Sequence, residues 1–213
     1  MDIVQIKKKA RQLEKALSPI LGDDEATGRL SQLLAYASLH DTVCYQEIRD
    51  VVEDDPEDIL LMAEEWRLLL PVRTAKSSSW EDRLLLARDG EVYKMPNVIR
   101  YLAKEAIQSA KWYPEKAMKE LFKELRDPAW KQIPGLIKAI AEKAIDNKIN
   151  GNQIKKICLQ FGLSNRVDGL IAELKAAGIM SPKLGSIPDV MGAGSPIYEL
   201  NPSIVVHYKG KRG

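Results

Sequence analysis

The sequence predicts a mainly α-helical protein with small β-hairpins, organised as two units in tandem. Apolar residues recur at three-to-four spacing along most of the chain, the signature of helices with one buried face. Twice, a run of such helices is followed by two short strand-like stretches separated by a turn. A composition of 45% hydrophobic and 29% charged residues supplies a core and rules out wholesale disorder.

Ile3, Ile6, Ala10, Leu13, Leu17 and Ile20 fall on one face of a helix ending near Gly22, which defines an N-terminal amphipathic segment, 1–22. Lys7, Lys8, Lys9 and Arg11 lie on the other side, either as a solvated face or as a surface for phosphates.

The first unit, 23–100, opens with a helix lined by Leu30, Leu33, Leu34 and Ala37. A second helix carries Cys44, Ile48, Val51 and Val52, with Asp41 or Thr42 placed to cap its free amides. Asp55-Pro56 signals the start of a third, because proline at the first helical position gives up an amide that has no partner there. Ile59, Leu60, Met62, Ala63 and Trp66 follow. LLLPVRT and WEDRLLLA then read as two strands around the turn AKSSS, with DGE as a further turn. Connecting helices occupy 101–131, the second opened by Pro114 and carrying Ala117, Met118, Leu121, Phe122 and Leu125 before Asp127-Pro128.

The second unit, 132–206, begins with a stripe of Leu136, Ile137, Ile140, Ala141, Ala144 and Ile145, closed by Ile149 and Asn150. A short helix with Ile154, Ile157 and Cys158 stops at Gly162, and Ser164 caps the next. Val167, Leu170, Ile171 and Leu174 form its inward stripe, and Gly178 ends it before a strand at Ile179-Met180 that PIYELN returns. A basic tail, 207–213, completes the chain. The helical positions Ile48, Val51, Val52, Ile59, Met62 and Ala63 align with Ile154, Ile157, Cys158, Val167, Leu170 and Ile171, which fits duplication or convergence alike.

Charge is unevenly spread. From Asp23 to Leu70 thirteen carboxylates face three arginines, leaving that stretch at −10 and the rest of the chain at +12. An acidic first unit repels a phosphate backbone, so any nucleic-acid surface belongs elsewhere. Cys44 and Cys158, the only cysteines, have no ligand at metal spacing, and His40 and His207 form no local motif; no metal and no cofactor are expected. No phosphate-binding glycine loop, HExxH or nucleophile elbow is present, so the expectation is not an enzyme. Without a signal-peptide run or a membrane-length apolar stretch, a cytoplasmic protein is expected. Trp112, Tyr113, Phe122 and Trp130 serve either core packing or a dimer interface.

The stretch IKKICLQFGLSNRVDGLIAELKAAGIM, with a helix, a glycine turn, a second helix and a closing LxxxGI, resembles the winged helix-turn-helix superfamily over about sixty residues. The first unit is similar in order but departs from the pattern, with EDDP in place of the glycine turn and LLLP in place of the terminal glycine. The resemblance implies a tandem winged-helix fold whose third helix enters the major groove of double-stranded DNA. It makes Gln153, Lys155, Lys156, Ser164, Asn165, Arg166, Gly169, Lys175 and Lys183 the candidate DNA-contacting residues. Arg166 would read guanine and Asn165 adenine, Gly169 would permit close approach, and Gln153, Lys155 and Lys156 would hold phosphates. Asp168 and Glu173 share that face and oppose it. Arg73, Lys76 and Arg83 on the first hairpin, the loop KLGSIPDVMGAGS, and Lys209, Lys211 and Arg212 are secondary candidates. The acidic third helix of the first unit suits a homodimer or a basic protein partner. The resulting expectation is a DNA-binding transcriptional regulator, the alternative a protein–protein adaptor that binds no DNA.

Overall fold

The computed structural model describes residues 3–72, 79–80, 83–183 and 194–209. The chain is mainly helical, 61% helix and 10% strand, with two small three-stranded antiparallel sheets, and divides into two compact units. The first comprises Met1–Ala75 and Arg83–Tyr113, the second Lys76–Asp82 and Pro114–Gly213. Segment 101–131 is therefore shared out: the helix before Tyr113 belongs to the first unit, the one after it to the second.

In the first unit α1 (Ile3–Leu21) packs along α2 (Glu25–Ala37) and against α5 (Asn97–Ser109). Ala10, Leu13 and Leu17 are buried on α1, and Leu30, Leu33, Leu34 and Ala37 on α2, as their spacing requires. Between α2 and α5 come β1 (Val43–Cys44), α3 (Tyr45–Val52), α4 (Pro56–Glu65), β2 (Leu70–Pro71) and β3 (Val92–Lys94). The sheet order is β1-β3-β2, so the last strand lies between the other two.

Two expectations are corrected here. Asp41 and Thr42 do not cap α3: residues 43–44 pair with β3, and the Glu47 carboxylate reaches back to accept from the Cys44 amide at 2.7 Å. WEDRLLLA is not the returning strand, since its described part lies outside the sheet, with Leu84 67% exposed. The pairing strand is VYK, where a fully buried Tyr93 is flanked by more exposed neighbours, the two-residue alternation of a half-buried strand.

The second unit contains α6 (Pro114–Glu124), α7 (Ile133–Lys143), β4 (Lys148–Asn150), α8 (Gly151–Gln160), α9 (Val167–Ala177), β5 (Met180–Pro182), β6 (Ile197–Leu200) and α10 (Pro202–Lys209). Its sheet order, β4-β6-β5, repeats that of the first unit. Ile149 and Asn150 do not close α7 but lie in β4, opposite Tyr198 and Ile197. Ile145 is 74% exposed and outside the core stripe. Gly162, at φ 71°, makes the turn after α8. Ser164–Arg166 is a separate 3₁₀ turn, so α9 begins at Val167 without a Ser164 cap. On α9 Leu170, Leu174 and Ala177 are buried, whereas Val167 and Ile171 are only half covered. Trp112 and Phe122 are buried, Trp130 half-buried and Tyr113 exposed, which makes Trp112 and Phe122 core residues of their respective units.

The second unit also takes in a piece of chain from far upstream. In Lys76–Asp82, of which Ser79 and Trp80 are described, both residues are buried, and the Trp80 amide donates to Ser181 Oγ on β5 at 2.9 Å.

Candidate nucleic-acid interface

The α8–turn–α9 segment gathers most of the sequence-predicted contacts. Asn150 starts α8 with a reciprocal cap: its Oδ1 accepts from the Gln153 amide at 2.8 Å, and its own amide donates to Gln153 Oε1 at 3.2 Å. Part of Gln153 is thus spent on the helix start. Lys155 and Lys156 are exposed one turn on, and among the described residues neither makes an ion pair. The other side of α8, Ile154, Ile157 and Cys158, is buried; burial also pushes the Cys158 thiol pKa up.

Ser164 and Asn165 are exposed at the 3₁₀ turn, and Asp168, Gly169, Ala172 and Ala176 form the exposed face of α9. Gly169 has open space where a Cβ would stand, so nothing in its own fold demands glycine there. Lys175 is half-buried in the last turn of α9, where a cation is favoured by the negative end of the helix dipole. Lys183, just past β5, donates its backbone amide to Ile197 at 2.9 Å. Asn152 fastens the start of α8 to the turn before β6, its amide donating to Ser195 Oγ at 3.2 Å. Most of KLGSIPDVMGAGS, together with Arg73, Lys76, Lys211 and Arg212, lies outside the described residues.

Arg166 does not point freely outward. Its guanidinium grips Asp127 through two hydrogen bonds, Nη1 to Oδ1 at 3.0 Å and Nη2 to Oδ2 at 2.8 Å, and Nη2 also reaches both Glu173 oxygens at 3.2 Å. Asp127 is almost wholly buried, and it also accepts from the Ala129 amide. Hydrogen bonding to Arg166 is the main reason its pKa is lowered; Glu173 is raised, first by burial and then by Asp127 beside it. A base-reading role for Arg166 requires breaking this fork. In the sequence Asp127 marks only a helix end. Its signal was an acid in a stretch that includes the buried Ala129 and the half-buried Trp130, where a lone carboxylate needs a cation.

Two secondary candidates are also engaged. Lys209 Nζ donates to the Ala144 carbonyl at the end of α7 at 2.8 Å. Arg83 is partly buried and faces the Pro71 carbonyl at 3.4 Å, with burial lowering its pKa.

In the first unit α4 presents Glu57, Asp58, Leu61 and Glu65 outward, and Leu61 is 54% exposed. Glu57 accepts from the Tyr45 hydroxyl, whose pKa burial and that carboxylate push up to about 12. Glu64 instead pairs with Arg67. Sequence reading did not anticipate a groove of about 550 Å³ between α1 and α5, lined by Gln5, Lys8, Lys9, Gln12, Ile107 and Gln108. It needs two helices distant in sequence, and only their packing reveals it. Among the described residues no cluster of metal ligands occurs and no helix is long and apolar enough to cross a membrane.

Neither the curated proteins nor the solved structures include a match to this chain. Residues 12–210, nearly the whole chain, match the sequence profile of an uncharacterised protein family, and the chain belongs to that family.

Proposed function

We propose that the chain is a non-catalytic tandem winged-helix protein whose second unit binds duplex DNA. The fold reading is supported in both units by the order helix, strand, helix, helix, strand, strand, with the last strand between the other two. The observation that carries the DNA reading is the pair of exposed lysines on α8, Lys155 and Lys156, which make no ion pair among the described residues, beside a face of Ser164, Asn165, Gly169 and Ala172 that also carries the exposed Asp168. Lysines grip phosphates, and small side chains let the helix approach the groove closely. With Arg166 held by Asp127, backbone contacts outweigh base contacts, so affinity is modest and depends on salt more than on sequence.

A duplex titration across salt concentrations tests this. Changing Lys155 and Lys156 to Ala should weaken binding to all sequences alike and make the log–log salt slope shallower by about 0.9 per lost phosphate contact. No binding to duplex at low salt would exclude the reading. A second reading, a protein–protein adaptor, is favoured by one observation: α4, at the position of the first unit's groove-reading helix, carries an acidic face around an exposed leucine.

A further inference from the structure

We propose that α4 of one copy of the chain docks into the groove between α1 and α5 of a second copy, head to tail. This builds on the partner-binding reading of α4 and is independent of DNA contact by the second unit.

Asp58, Leu61 and Glu65 follow one another at three- and four-residue spacing and so share one outward face of α4. Leu61 is 54% exposed, and among the described residues Asp58 and Glu65 make no ion pair. An exposed leucine between two free carboxylates calls for an apolar pocket with a basic rim. The α1–α5 groove has that composition: Ile107 offers the apolar surface, Lys8 and Lys9 the cations, Gln5, Gln12 and Gln108 the neutral polar edge, and among the described residues no carboxylate lines it. Among the described residues Lys8 and Lys9 have no ion-pair partner either. At about 550 Å³ the groove has room for a leucine and its flanking turns.

The contact forms between chains rather than within one, because α4 is fixed in its own core by Ile59, Leu60 and Ala63 and packs on α2 and α3. Helix and groove are different surfaces of the same unit, so each docked copy leaves one of each open, and the association is heterologous.

Charge reversal on either side tests the pairing in the full chain. Sedimentation velocity of the wild type at low salt should show mass rising with concentration, and added salt should reverse it. K8E/K9E and D58K/E65K should each lower the association constant at least about tenfold, since each sets like charges against one another. Mixing the two variants restores opposite charges at both junctions, so association should return. Circular dichroism and thermal melts confirm that the variants fold. A monomeric wild type, an association indifferent to salt or to either reversal, or no recovery on mixing would each overturn self-docking. A parallel titration with poly-lysine separates the readings. Binding lost in D58K/E65K keeps α4 as a partner surface even where self-docking fails; a monomeric wild type that also binds no poly-lysine removes both.

Discussion

Among the described residues Asp127 is the least solvated charge in the second unit, and its neighbours determine what its loss costs. Asp127→Asn leaves a guanidinium with one weak partner. The expected destabilisation is about 2 kcal/mol, below the range for fully buried pairs because Arg166 keeps a quarter of its surface in water. Glu173→Gln should be neutral or mildly stabilising, since that carboxylate is ionised against burial and a neighbouring acid. The two have opposite pH signatures. Asp127 has a lowered folded pKa, so its stabilisation is complete above its ordinary value of 3.8 and disappears as pH falls through the folded value. Glu173 has a raised folded pKa, so its cost is relieved as pH falls through that value toward the ordinary 4.5. Urea midpoints across acidic pH should therefore rise slightly before they fall. In Asp127→Asn the final fall should shrink.

Some helix ends are legible in the sequence, though not the start of α3, the end of α7 or the start of α9. Gly178, at φ 79°, ends α9 where LxxxGI predicted, and the Ile179 amide returns to Leu174 at 3.0 Å. Gly178→Ala should cost about 1 kcal/mol in urea denaturation. Ala110 ends α5 in the same left-handed conformation, at φ 55°, without a glycine. Ala110→Gly should raise stability by up to about 1 kcal/mol, and a fall would mean that the methyl packs against something. Proline starts were equally legible at Pro56 and Pro114, and periodicity found the buried faces of α1, α2 and α7. Strands were not, because β1 and β2 are two residues long and exist only through pairing with β3. RLLLA outcompetes VYK on local apolarity, yet Tyr93 is the side chain the core encloses. At the candidate site exposure could be read from the helical period, whereas the Arg166–Asp127 pair, 39 residues apart, could not.

At the scale of the whole molecule the informative feature is distribution. The −10 stretch and the basic α1 belong to one unit, so charge separates over its surface rather than between the two units. The second unit's core includes Trp80, contributed from within the first unit's sequence and only 4% exposed. Trp80→Ala should destabilise that unit by about 3 kcal/mol, read as faster amide exchange along α8 and α9. Unchanged exchange there would refute this. The same stretch sets an order of events during synthesis. Trp80 leaves the ribosome 101 residues ahead of Ser181, a delay of about 5 to 20 s at ordinary elongation rates. Throughout that interval an indole destined for the interior has no site to occupy, and a nascent chain in this window is a natural target for chaperones.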